Sequence, residues 1–420
     1  MRPAIAVILS LVVSACSSGG AGGESVSWEA ARDTLGDTLI VRTLSGSVWG
    51  DTANLVTEIS VGLVTGPEEY LFALVRSLAT APDGTLYVMD GGIPALRVYN
   101  PDGTYRATFG RWGEGPGEYK GPDGGLNVLS DGRVLIRDPG NARIQVYSPE
   151  GEPLETWRIR GNYNTSQRMV VDREDRTYTQ LLLDPTADIR DWHVGLMRIL
   201  PDGTVSDTLA APRAGWEPPR IEARVQRGES FSVSRNSVPF TPNEHWALSP
   251  LGYFIHGVST EYAFTLQRIG APPLRVERVY EPVTVAAGER AEREAFATRN
   301  MRGVDPNWRW NGPSIPSVKP PYAALFAGED GTVWVQVHQP GAKEEDPFFD
   351  PSLPNAIPNE WREPVLFDVF DEEGRYLGAV RGPNGLRLRP QPIFTREWVL
   401  ATVRDELDVQ SVVRFRVELP

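Results

Sequence analysis

Side chains able to do chemistry are few in this chain, and their spacing is uninformative for the usual catalytic motifs. Four histidines occur, His193, His245, His256 and His338, and none forms the H-x-x-x-H or H-E-x-x-H pair that would hold a zinc ion. His256 ends the stretch "GYFIH" and His338 ends "TVWVQVH". Each closes a second strand, at the equivalent edge of two neighbouring β units. The two imidazoles could therefore face one rim and share a metal, or could be ordinary hydrogen-bonded loop residues. No G-x-S-x-G elbow presents a serine nucleophile. Trp308, Arg309 and Trp310 form an aromatic–cation cluster on a proline-rich loop, the composition of a sugar or protein contact. The competing expectation is that the tryptophans tuck under the loop as a small core. Asp90 and Asp138 each follow a second strand and could face Ca²⁺. Calcium loops concentrate several oxygen donors, and "RDPGNAR" offers few, so the preferred expectation is that Asp138 caps a turn and pairs with Arg143.

These residues must be positioned by the elements around them. The glycine-rich "GRWGEGPGEY" (residues 110–119) lacks a following Gly-Lys-Ser/Thr and breaks G-x-G-x-x-G at Glu118, so it does not read as a phosphate cradle. It recurs upstream, where Gly66, Pro67, Glu69 and Tyr70 match Gly115, Pro116, Glu118 and Tyr119 at an offset of 49 (115 − 66). Its flanks recur too: Asp83, Gly84, Asp90, Val98, Tyr99 and Pro101 match Asp131, Gly132, Asp138, Val146, Tyr147 and Pro149 at an offset of 48 (132 − 84). A period in the forties, built from short strands and Asp-Gly turns, is the pattern of propeller blades. The turns at Asp83, Asp102, Asp131, Asp202 and Asp330 are hairpin chemistry, since glycine accepts positive φ.

The stretches "FGRWGEGPGEY" and "RVLIRDPGNARIQVYSPEG" resemble the NHL repeat, with its Gly-Pro-Gly-Glu-aromatic connector and its Val-x-Asp-x-x-Asn-x-Arg-Ile-x-Val-aromatic strand pair. The whole chain resembles bacterial β-propeller lipoproteins of NHL type. The likeness is strongest over residues 70–110 and 124–160. It departs from the pattern where Ala95 stands in the place of Arg143 and Pro94 in that of Ala142. The expected fold is all-β: a six-bladed β-propeller of four-stranded blades, closed by N- and C-terminal strands. Residues 37–44 (DTLIVRTL) are expected to pair with residues 412–418 at that closure. In the third blade Arg176 is expected at the place of the turn glycine. One short helix, residues 287–299, is expected between blades four and five, with Ala287, Ala291 and Ala295 on one face. The glycine-rich stretch becomes the connector between blades. Some NHL-type propellers are lyases or hydrolases using metals or histidines at this rim, which is what the resemblance implies for His256 and His338.

The N-terminus resembles a lipoprotein signal: Arg2, an apolar run too short to span a bilayer, then "VSAC" ending at Cys16, the sole cysteine. The expected organisation is a signal peptide over residues 1–15, a Gly/Ser-rich tether over 16–36 and the propeller over 37–420. Acylated Cys16 would anchor the protein to a membrane outside the cytoplasm. Ser17, in place of an aspartate, favours the outer membrane. A single cysteine leaves no disulfide and no cysteine-based metal site. Net charge is −13, which disfavours nucleic acid as a partner. Lysine occurs only at Lys120, Lys319 and Lys343, which reads as codon bias. Residues 339–364 form a long acidic loop, functional or disordered. The leading expectation is a binding or scaffold module for a protein, peptide or glycan ligand, with Trp308, Arg309, Trp310, His338 and His256 as candidate contacts and no cofactor. The alternative is a metal-assisted hydrolase or lyase with its site at the central channel.

Overall fold

The computed structural model describes residues 27–159, 164–187, 192–228 and 230–420. Residues 1–26, which hold the expected signal peptide, Cys16 and part of the expected tether, lie outside them. Strands dominate the described residues, with one α-helix, α1 (Ala287–Arg302), and two short 3-10 turns.

Strands in sequence order form antiparallel meanders. The first is Val75–Thr80, Leu86–Asp90, Ala95–Tyr99 and Tyr105–Phe109; the second is Leu126–Val128, Val134–Asp138, Arg143–Tyr147 and Pro153–Arg158. The third runs from Val170–Val171 through Thr177–Leu182 and Val194–Ile199 to Val205–Ala210. The fourth holds Glu244–Leu248, Phe254–Val258, Ala263–Gln267 and Leu274–Arg278; the fifth holds Tyr322–Ala327, Val333–Val337, Leu366–Phe370 and Tyr376–Arg381. The last set, Ile393–Phe394, Trp398–Arg404 and Gln410–Glu418 with the early strand Ala53–Val61, is continuous with the fifth, because Ala53–Val61 pairs parallel to Tyr376–Arg381 and joins the two into one nine-stranded sheet. First strands of the first three sheets run side by side, as do those of the fourth and fifth. This is a propeller-type arrangement.

Burial explains the strand compositions. Leu86–Asp90 and Val134–Asp138 are buried at every position because sheets cover both their faces, so they read as continuous rather than alternating apolar runs. The fourth strands Tyr105–Phe109 and Val205–Ala210 are mostly exposed and accordingly polar. Apolar clusters fill the spaces between sheets: Tyr87, Met89 and Leu96 meet Leu126 and Ile136, Phe264 and Val276 meet Val333 and Phe370, and Val412 and Leu400 meet Val75 and Leu86.

Three local expectations are corrected. Residues 37–44 do not pair with the C-terminal strand. Thr38–Ser45 lies parallel to Leu274–Arg278 on the outer edge of the fourth sheet, where Val41 is buried among Leu274, Val276 and Tyr376. The partner of Gln410–Glu418 is Ala53–Val61, whose Ala53, Leu55 and Val61 are buried. Glu58 sits at a bulge in that strand and pairs with Arg414 and Arg416; the charge and the irregular register hide the strand from a period-two reading. In the third sheet the turn glycine is replaced by Asp175, not Arg176. Asp175 takes the left-handed conformation at φ 57°, tolerable for an aspartate, with Asp172 accepting from the Glu174 and Arg176 amides. Finally, Asp138 accepts from Gly121 N at 2.8 Å, Lys120 N at 3.2 Å and Asn141 Nδ2 at 2.7 Å, whereas Arg143 donates to the carbonyls of Gly115 and Glu118. The aspartate ties the connector's end to the sheet, and Arg143 ties its middle.

Residues 110–119 connect the first sheet to the second. Arg111–Trp112 pairs with Glu118–Tyr119, and the Glu118 side chain folds back on Gly115 N at 2.9 Å. Between the third and fourth sheets a separate hairpin, Arg220–Arg227 with Ser230–Ser237, packs with α1 as a side lobe.

Candidate functional site

A cavity of about 660 Å³ opens between the outer strands of the fourth sheet and the second to fourth strands of the fifth. Its floor is set by Asp368, 2% exposed in the middle of the strand Leu366–Phe370. Three groups satisfy this carboxylate. The Tyr376 hydroxyl donates to Oδ1 at 2.7 Å, the Tyr262 hydroxyl donates to Oδ2, and Arg278 Nη1 donates to Oδ2 at 2.8 Å. Arg278 is further held over the Tyr376 ring at 4.4 Å and the Tyr262 ring at 5.7 Å. Burial, reinforced by the adjacent Asp368 charge, pushes both tyrosine hydroxyls up, so they remain donors. Burial would weaken the Arg278 cation, but Asp368 together with Tyr376 and Tyr262 more than offsets it and raises its pKa. The result is an arginine fixed on two sides at the cavity wall. Around it stand Tyr280, Glu281, Asp51, Gln339 and His338, with Val283, Pro320 and Leu366 as apolar wall.

His338 joins the cavity to a buried ionic chain. Its Nδ1 lies 2.9 Å from Glu363 Oε2, so Nδ1 carries the proton and Nε2 is the ring's remaining nitrogen. Glu363 also accepts from Gln339 N at 2.9 Å and pairs with Lys319 at 3.0 Å. Burial raises the Glu363 carboxyl, but His338, the Gln339 amide and Lys319 outweigh it and hold the group below its ordinary value. Lys319, fully buried, donates to Glu289 on α1 at 2.6 Å and to Gln339 O at 2.9 Å, and sits 5.0 Å over the Phe240 ring. One turn on, Glu292 accepts from Glu360 N at 2.7 Å and Trp361 N at 3.2 Å. Two buried glutamates of α1 thus clasp both ends of the acidic loop. The face carrying Ala287 and Ala291 is exposed instead.

The sequence-derived candidates are scattered. His338 lines the cavity. His256 lies on a second strand opposite Trp246 and Thr265, its pKa lowered by burial. The neighbour His338 does have is His245, whose ring is 5.2 Å from Tyr322 and whose pKa is pushed down to about 4 by burial and by the His338 charge. Among the described residues no group of three or more His, Cys, Asp or Glu side chains is gathered to hold a metal ion. Trp308 is 4% exposed, packed with Ile221, Ala223, Met301 and Ile315, and its Nε1 donates to Glu222 O at 2.8 Å. Trp310 is half-buried against it, and Arg309 is exposed. Trp308 is therefore the core of the side lobe and does not present an open aromatic face.

Arg278, Asp368, Tyr262, Tyr376, Lys319 and Glu363 were not singled out by sequence reasoning. Two signals were available. Asp368 is a carboxylate inside the apolar run "LFDVF", and Lys319 is one of only three lysines.

The site and fold define a propeller-type protein with a polar cavity between two blades. No family model matches the chain, and no curated protein is similar to it at a significant level. Solved structures with a similar course include a member of the DUF4221 family from Bacteroides vulgatus, at 8% identity over 88% of this chain and 99% of that one, TM-score 0.46. A Bacteroides fragilis protein described as exported matches at 9% identity over 90% and 99%, TM-score 0.45. A gluconolactonase from Xanthomonas campestris matches at 13% identity over 92% and 90%, TM-score 0.37. At these identities no activity passes to this chain. Among the described residues no helix is long and apolar enough to cross a membrane.

Proposed function

We propose that the chain is an extracytoplasmic lipoprotein of NHL-propeller type, anchored through acylated Cys16, whose propeller acts as a binding module for a glycan. Six four-stranded blades form the ring, and Ala53–Val61 closes it against Gln410–Glu418. The apolar cluster joining the last sheet to the first supports that closure. The cavity between the fourth and fifth sheets is the ligand seat. The observation that carries this reading is the Asp368 clamp, which fixes Arg278 at the wall of a cavity of about 660 Å³ before any ligand arrives. Preorganised donors beside apolar walls suit a ligand with hydroxyl edges and apolar faces. Asp51 and Glu281 add acceptors, and half-buried Tyr280 adds a ring. The binding residues are thus Arg278, Tyr280 and His338, not Trp308.

A glycan array probed with the purified protein tests this. The expected result is retention of a defined subset of glycans, weakened at least tenfold by Arg278→Gln and by Tyr280→Ala. Retention of none, or equal retention by both variants, contradicts it.

One observation favours a second reading, a hydrolase or lyase. His338 lines the same cavity, and Glu363 behind it holds its Nδ1 at 2.9 Å, the geometry of an oriented acid–base dyad. Chemical change of a retained glycan, abolished by His338→Gln, would select it over simple binding.

A further inference from the structure

The side lobe carries an open sheet edge. In the hairpin, the strand Arg220–Arg227 has its outer edge covered: Trp308 Nε1 and Asn311 Nδ2 donate to Glu222 O, at 2.8 and 2.7 Å, and Glu222 N donates to Asn311 Oδ1 at 3.2 Å. The inner face is sealed by the lobe core, with Ile221 and Ala223 fully buried. The partner strand Ser230–Ser237 is different. Among the described residues, the backbone of residues 231–237 bonds to nothing but the strand beside it. Its outward face shows Phe231 at 55% and Val233 at 43% exposure. It has no proline or bulge to blunt the edge, and its one charged side chain, Arg235, is drawn to Glu222 on the neighbouring strand at 2.5 Å.

Charge selects the occupant. Residues 220–237 contain four arginines (220, 224, 227 and 235) against two glutamates (222 and 229), a local excess of two positive charges (4 − 2) in a chain of net −13. Arg224 lies directly across from Val233 in register and stacks over the Phe231 ring at 4.4 Å, so a cation and an apolar ring share the outward face. A strand added at this edge gains ladder hydrogen bonds, places its alternate side chains beside Phe231, Val233 and Arg235, and finds Arg224 one strand further in.

We infer that the edge Ser230–Ser237 is a β-augmentation site that captures an extended acidic segment of a partner protein, alternating β-branched residues with carboxylates. This surface is separate from the cavity between the fourth and fifth sheets and does not depend on what binds there.

The test uses the mature protein and a fluorescent seven-residue peptide alternating valine and glutamate, read by anisotropy and by hydrogen exchange of the amides of residues 231–237. The expected result is saturable binding with slowed exchange at those amides. Binding should fall at least tenfold for the same peptide N-methylated at alternate residues, which removes its ladder donors. It should fall similarly for a valine–lysine peptide, and for Arg224→Glu protein with the original peptide. Absence of binding, or equal binding of the N-methylated peptide, overturns the proposal even if the Arg224→Glu protein folds poorly. Equal binding of the lysine peptide overturns the acidic partner. Self-association through the same amides, seen as a concentration-dependent dimer that the peptide does not dissociate, would assign the edge to a second copy and overturn it as well.

Discussion

Replacing Trp308 with alanine separates a core role from a surface role most sharply. Trp308 is 4% exposed and touches Ile221, Ala223, Met301 and Ile315. Truncating a buried aromatic costs about 3–5 kcal/mol. The acceptor it leaves, Glu222 O, keeps its Asn311 donor at 2.7 Å. No orphaned carbonyl is added, and the loss should fall in the lower half of that range, about 3–4 kcal/mol. Trp310 is half-buried, 6.1 Å from Trp308, and its Nε1 bonds within its own loop to Pro313 O. Its alanine variant should lose about 1–2 kcal/mol. Because the hairpin forms its own two-stranded sheet, the loss should appear first as local opening. The assay is urea unfolding combined with hydrogen exchange of residues 221–225. Trp308→Ala should accelerate exchange there by two orders of magnitude or more, and Trp310→Ala by about one. Equal effects, or unchanged hairpin amides in Trp308→Ala, would refute the placement of Trp308 in the core.

Other consequences follow from the buried charges and the strand pairing. Lys319→Met leaves Glu289 buried without its cation and takes one of Glu363's partners, and should destabilise by about 3–5 kcal/mol, measured by chemical denaturation. His245 is held at about 4 in the folded protein against an ordinary 6.5. Between those values the unfolded chain binds the extra proton, so stability present above pH 6.5 is lost as pH falls through the window. The loss should be about 1–2 kcal/mol from pH 7.5 to pH 5, and His245→Gln should flatten it in a comparison of urea midpoints. Glu363, held below its ordinary value, contributes its own loss only in more acidic solution. Removing residues 27–46 strips the strands Glu29–Leu35 and Thr38–Ser45 from the outside of the fourth sheet and should leave a soluble, cooperative protein. Removing residues 27–61 should cause aggregation by opening Gln410–Glu418, and light scattering distinguishes the two.

The parts of the fold legible in the sequence are those governed by local rules. Asp-Gly turns with Gly84 and Gly132 at φ 87° and 86° repeat at a fixed spacing, and the strands between them carry unbroken apolar runs because sheets cover both faces. The pairing of Ala53–Val61 was not legible, because a bulge and Glu58 break its alternation. The attachment of Thr38–Ser45 to Leu274–Arg278 was not legible either, because a parallel pairing across more than 230 residues leaves no local trace. The candidate site was legible only at His338. Arg278 ends a strand of the fourth sheet, Tyr262 stands just before another, and Tyr376 opens a strand of the fifth; nothing in their spacing announces that they converge on Asp368. The tryptophan pair misled for a physical reason: a Trp-Arg-Trp loop has the same composition whether its rings face solvent or cap a side lobe, and only the Glu222 carbonyl and the Met301 contact decide.

The imidazole resonances provide the most direct test of the ligand seat, since the chain has only four histidines and His338 is the one lining the cavity. The ¹⁵N-labelled protein is titrated with the oligosaccharide retained most strongly on the array, and the imidazole nitrogens are followed by NMR. The expected result is a saturable shift of the His338 Nε2 signal, abolished by Arg278→Gln, with His193 and His256 unmoved. A shift confined to His193 or His256, or binding that leaves His338 unchanged, would contradict it.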